Sequence, residues 1–223
     1  MSGIKIIFFD LDGTLADSRQ DITDAVNRTR EALGIEGGKT LSEVHSYVGG
    51  GLEETIRRAL ADDGINACVK NTKCLKKALV LFRDFYRAHP VAGTKLYPFV
   101  AETLENLNGI TKAVLTNKDH DIAVDVLKGL GILDCFTDII GGNDEKYRKP
   151  SPKGIKQILR KHKFSPDSAI IVGDMDIDII TGRAAGIKTC GVTYGIGLEE
   201  DIARAKPDYL IDSFAELKNI IAS

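Results

Sequence analysis

Six short runs of β-branched and aromatic residues, each ending in a polar tip with helix-period sequence in between, leave this chain little choice of architecture. The runs are Ile4 to Phe9, Lys112 to Leu115, Asp138 to Ile140, Ala169 to Val172, Thr189 to Val192 and Tyr209 to Ile211. They are nearly continuous in apolar character rather than alternating, which is expected of parallel strands covered by helices on both faces. Between them Val100 to Leu107, Ile122 to Leu130 and Ile155 to Leu159 place apolar residues three and four apart, the period of a helix. The rhythm predicts an α/β fold: a doubly wound parallel sheet, Rossmann-like, as the core.

The stretch from Asp17 to Ala92 breaks the rhythm with helical stripes and no convincing strand. Ile22, Val26 and Leu33 form one stripe, Leu52, Ile56 and Leu60 a second, and Leu75, Leu79, Phe82 and Tyr86 a third. We read residues 17–92 as a helical cap inserted after the first strand, and residues 1–16 with 93–223 as the α/β core. The insert leaves the first strand almost at once and returns near Gly93 to Pro98, so both crossings are expected close together over the C-terminal edge of the sheet, where a hinged insert can act as a lid.

Charge narrows the partners. With 30 Lys and Arg against 32 Asp and Glu in 223 residues, the chain lacks the basic excess that nucleic acid or an anionic membrane requires. A hydrophobic share of 43% is ordinary for a globular chain, and no apolar stretch approaches the roughly 20 residues that span a bilayer. Cys68, Cys74, Cys135 and Cys190 show no Cys-x-x-Cys spacing, so four reduced thiols in a cytoplasmic protein are expected, as a monomer or homodimer.

The chemistry gathers at strand tips. Asp10-Leu11-Asp12-Gly13-Thr14-Leu15 follows the first run directly, and residues two apart on an extended chain point the same way, so Asp10 and Asp12 are expected to face one site. Two carboxylates held close cannot both ionise cheaply without a cation, which suits one nucleophile and one acid or base. Gly13 permits a sharp turn and Thr14 offers a hydroxyl. A second tip carries Thr116-Asn117-Lys118, a third Lys149-Pro150-Ser151-Pro152; either reads equally as the start of a helix. The fourth, Gly173-Asp174-Met175-Asp176-Ile177-Asp178, concentrates acids as a magnesium site does, although a helix N-terminus also favours one or two of them. Doubly wound folds bind ligands in the crevice outside the C-terminal strand ends, so all four tips are expected to converge on a phosphoryl group, magnesium and Lys149.

This set resembles the haloacid dehalogenase superfamily of phosphotransferases, whose four motifs match Asp10-x-Asp12-Gly13-Thr14, Thr116, Lys149 and Gly173-Asp174-x-x-x-Asp178 over essentially the whole chain. The resemblance implies Asp10 as a nucleophile that forms an aspartyl-phosphate, and Asp12 as the acid that protonates the leaving oxygen and then activates water. It implies Thr14, Thr116, Asn117 and Lys149 around the substrate, and Mg2+ held by Asp10, Asp174 and the backbone carbonyl of Asp12, with Asp178 alongside. The loop Val48-Gly49-Gly50-Gly51, Arg57-Arg58-Ala59-Leu60 and Gly191-Val192-Thr193-Tyr194-Gly195 look most similar to phosphoglycolate phosphatases, which adds Gly50 and Gly51 to the substrate contacts. Met175 stands where relatives carry Ser or Thr, and Asp176 is an acid without an assigned role. The expectation is a phosphatase acting on a small phosphate ester. A phosphomutase of the beta-phosphoglucomutase type, gripping a second phosphate with Arg57 and Arg58, and a noncatalytic phosphate-binding module stand beside it.

Overall fold

The computed structural model describes residues 3–61 and 66–222. Its strands are β1 (Ile6–Phe9), β2 (Ala16–Asp17), β3 (Lys95–Leu96), β4 (Thr111–Leu115), β5 (Asp138–Ile140), β6 (Ala169–Gly173), β7 (Lys188–Val192) and β8 (Tyr209–Ile211). The chain divides into two compact units, one running up to Asp17 and resuming at Lys95, the other Ser18–Thr94.

The first unit holds a six-stranded parallel sheet in the order β5-β4-β1-β6-β7-β8. Strand β1 reads Ile-Ile-Phe-Phe with every side chain fully buried, because each of its faces has a covering layer. Ile6 and Phe8 pack with Ala113, Leu115 and Ile171 against Ile155, Ile158 and Leu159. Phe9, one residue on, meets Phe136 edge-on at 6.1 Å and Phe214 at 5.7 Å. The helices of this unit are numbered after the five of the other: α6 (Val100–Asn106), α7 (His120–Gly129), α8 (Lys153–His162), α9 (Asp176–Ala185), α10 (Glu199–Ala205) and α11 (Leu217–Ala222). From β1 the chain goes first to one side of the sheet and later to the other, so the strand order reverses around β1, the position where open α/β sheets leave a crevice. Strands β2 and β3 form a two-residue antiparallel ladder, Ala16 opposite Leu96 and Asp17 opposite Lys95, so the two chain crossings lie side by side.

The second unit contains α1 (Arg19–Ala32), α2 (Leu41–His45), α3 (Leu52–Ala61), α4 (Asn66–Lys70) and α5 (Thr72–Ala88), with no strand among its described residues. Its stripes differ from the sequence reading in three residues: Ala78, not Leu79, joins Leu75, Phe82 and Tyr86 in the buried face of α5, and Leu33 and Leu52 are only half-buried. Arg30 is buried and donates to the carbonyls of Gly37 and Ala59 at 3.0 and 2.7 Å, which satisfies a charge that would otherwise be costly inside. Asp21 accepts from the amides of Gly93 and Thr94 at 2.7 and 2.9 Å.

One expectation is overturned. Cys68 and Cys74 form a disulfide, so the chain does not carry four reduced thiols; only Cys135 and Cys190 are free. The six-residue spacing hid the pair, because the turn between α4 and α5 folds the chain back and brings the two Cα atoms to 5.1 Å, within bridging distance. Among the described residues no helix is long and apolar enough to cross a membrane.

Candidate active site

The ladder between β1 and β6 continues past the end of β1, with the Asp10 amide donating to the Val172 carbonyl at 3.0 Å, and this fixes Asp10 at the C-terminal edge of the sheet. The chain then turns tightly, Leu15 and Ala16 donating back to the Leu11 carbonyl at 3.0 Å. Gly13 sits in this turn at φ +92°, and a Cβ there would fall 2.0 Å from an oxygen of Asp174. Only glycine lets the first and fourth tips approach so closely.

Three buried carboxylates meet across that approach. Asp10, Asp174 and Asp178 each offer an oxygen, and these oxygens lie within 4.8 Å of one another. Asp174, at the tip of β6, accepts from the Thr14 hydroxyl at 2.9 Å and from the amides of Ile196 and Gly197 at 2.8 and 3.0 Å. Asp178, in the first turn of α9, accepts from the Met175 amide at 3.1 Å. A Cβ on Gly173 would meet the Asp178 carboxyl carbon at 2.1 Å, which is why small backbone precedes this acid. Lys149 bridges the group, its Nζ 2.9 Å from Asp10 and 2.7 Å from Asp178.

Burial and neighbouring charge set the protonation. Burial and the adjacent Asp10 push Asp174 up to about 6. Burial pushes Asp178 up to about 7, with Lys149 pulling the other way and Asp10 and Asp174 adding to the rise. Burial works against the Lys149 charge, but Asp10 and Asp178 more than offset it and hold the ammonium above its ordinary value. Fully ionised, three carboxylates against one ammonium leave an excess of two negative charges in a buried pocket of hard oxygen donors. That donor set fits a magnesium ion.

Asp12 faces a different partner. Its carboxylate is held by Lys118, with Nζ at 2.9 and 3.1 Å from the two oxygens, apart from the three-carboxylate cluster. On sequence alone Lys118 has no assigned role, and its place two residues beyond Thr116 at the second tip is the signal that points to it. Thr116 is buried, and its hydroxyl accepts from the Lys118 amide at 3.2 Å. Asn117 is turned inward: its amide group accepts from the Lys149 backbone N–H at 2.8 Å and donates to the Lys149 carbonyl at 3.3 Å, tying the second tip to the third. Tyr194, also unassigned, donates its hydroxyl to the Thr14 carbonyl at 3.0 Å.

The other candidates belong to other elements of the chain. Gly50 and Gly51 belong to the helical unit, ahead of α3. In that unit Arg57 pairs with Glu53 at 2.7 Å and Arg58 lies over the Tyr47 ring at 5.3 Å. Asp176 is exposed in the first turn of α9, where the helix dipole favours an acid.

The model of the haloacid dehalogenase-like hydrolase family matches residues 7–192. A phosphoglycolate phosphatase of Vibrio vulnificus is 38% identical over 220 residues, covering 98% of this chain and 96% of the relative. The crystal structure of a predicted phosphoglycolate phosphatase from Haemophilus somnus superposes with a TM-score of 0.89 at 30% identity, covering 99% of both chains. That of CbbY from Rhodobacter sphaeroides, in complex with phosphate, gives 0.79 at 25% identity over 96% of each.

Proposed function

Because the chain belongs to the haloacid dehalogenase-like hydrolase family, we propose that it hydrolyses a small phosphomonoester through an aspartyl-phosphate on Asp10, with magnesium as cofactor and phosphoglycolate as the leading substrate. The observation that carries this reading is the buried meeting of Asp10, Asp174 and Asp178 with Lys149. The substrate follows the activity named for relatives such as the Vibrio vulnificus phosphatase.

In the first step an oxygen of Asp10 attacks phosphorus and the ester P–O bond breaks, while the leaving oxygen takes a proton from Asp12. In the second, Asp12 takes a proton from water, the resulting hydroxide attacks phosphorus, and the P–O bond to Asp10 breaks to release orthophosphate. Splitting the displacement lets one pair of carboxylates serve both halves. Lys149 and Thr116 bind phosphoryl oxygens, and Lys149 keeps Asp10 from repelling the incoming dianion. Asn117 positions Lys149 through its backbone, Thr14 orients Asp174, and Lys118 holds the Asp12 carboxyl. Asp10 and Asp174, with Asp178 beside them, would hold magnesium, which supplies charge neutralisation to the phosphoryl group when bound.

Steady-state turnover on phosphoglycolate, sugar phosphates, nucleotides and pyrophosphate, with magnesium or with chelator, tests this directly. Magnesium-dependent release of orthophosphate, fastest from phosphoglycolate, is the expected result. No turnover of any ester would overturn the hydrolase reading, and activity only in the presence of a sugar bisphosphate would indicate a phosphomutase.

A further inference from the structure

A second concave surface of the α/β unit lies along the outward face of α8, and none of the residues lining it belongs to the catalytic set. The cleft has a volume of about 700 Å3, within the range of small-molecule sites. Lys153, Lys156 and Arg160 line it at spacings of three and four, so they share one helical face, opposite the buried Ile155 and Ile158, and Lys163 at the C-cap adds a fourth cation to the lining. Among the described residues none of these four has a carboxylate within ion-pair distance. Asp144, whose charge reaches Lys153, is already held by Lys146 at 2.7 Å.

The helix itself does not explain this row. Arg160 and Lys163 near its C-terminal end are favoured by the dipole, but Lys153 and Lys156 occupy the first turn, where positive charge is disfavoured and no acid is present. Three cations in one row also repel one another. Beneath them the floor is apolar, made by Leu159, Phe164, Pro166 and Ala185, and one wall is the Tyr147 ring, whose hydroxyl donates to Gln157. A compact inorganic anion would meet one turn of the row and leave the floor bare. A lone carboxylate would leave most of the charge unanswered.

We propose that this cleft binds a nucleoside polyphosphate, with the heterocycle on the apolar floor and the phosphates along Lys153, Lys156 and Arg160. Calorimetric titration of the intact protein with a β,γ-methylene nucleoside triphosphate, which resists cleavage at its terminal bond, tests it against the exposed double variant Lys156→Glu/Arg160→Glu. Saturable binding to the native protein is expected, weakened at least tenfold in the variant, whose turnover of a small phosphoester stays unchanged. Equal affinity in the variant would overturn the proposal by assigning the nucleotide to the catalytic tips. Inorganic tripolyphosphate binding as tightly as the nucleotide would also overturn it, because the floor would then take no part. So would binding of acidic peptides or anionic vesicles without affinity for the nucleotide.

Discussion

Asp10 and Asp12 are two residues apart on one strand tip and have unlike surroundings: Lys149 and the Leu11 amide hold the first, Lys118 the second. Their replacement should therefore fail in different ways. Asp10→Asn should reduce turnover by on the order of a thousandfold or more and abolish any covalent phosphoenzyme, whereas Asp12→Asn should slow turnover by roughly 10²- to 10⁴-fold with Asp10 still able to be phosphorylated. Steady-state rates and acid-quenched labelling separate the two. Lys149→Met removes the one ammonium between Asp10 and Asp178, and urea unfolding should show a loss of about 3–5 kcal/mol, the scale of a buried charge left without its partner. The carboxylates were readable from sequence because each sits at the end of an apolar run. Lys118 was not, because its partner lies 106 positions away and only the fold brings them together. The inward turn of the Asn117 amide was equally invisible, since Thr and Asn at a strand end usually cap the next helix.

At the scale of elements, strands covered on both faces announce themselves as continuous apolar runs, and the five after the first match the sheet to within a residue at either end. The first begins at Ile6 rather than Ile4. Strands β2 and β3 carried no signal, being two residues long and defined only by pairing with each other. The disulfide was missed for a related reason: it depends on the turn between α4 and α5, not on a local spacing motif. Closing so short a loop should contribute about 2 kcal/mol. Cys74→Ser should lower the stability of the oxidised protein by that amount in urea unfolding, and a reducing agent should destabilise the native protein but leave the variant unchanged. In the sheet, Phe8→Ala should cost about 3–5 kcal/mol, since Phe8 is fully buried in the layer beneath α8 and the strands on either side leave little room to collapse.

For the whole molecule, the buried acids couple stability to pH and to metal. Asp174 and Asp178 are raised to about 6 and about 7 in the fold, against roughly 3.9 in an unfolded chain. Without metal the folded state therefore binds more protons than the unfolded state between these values. The contribution is fully present below about pH 4 and is lost as pH rises through about 7. In chelator, the melting temperature should carry a component that falls across this window. Magnesium should raise it more at pH 8 than at pH 5, by roughly 5 °C or more, and Asp174→Asn should blunt both effects.

The proposed hydrolysis turns on Asp10 accepting the phosphoryl group beside Asp174, Asp178 and Lys149. Mixing the enzyme with phosphoglycolate and magnesium, quenching in acid within the first turnover and mapping the peptides by mass spectrometry should find the mass of one phosphoryl group on the peptide that contains Asp10. Normal turnover with that peptide unmodified at every quench time, or full activity in Asp10→Asn, would contradict it.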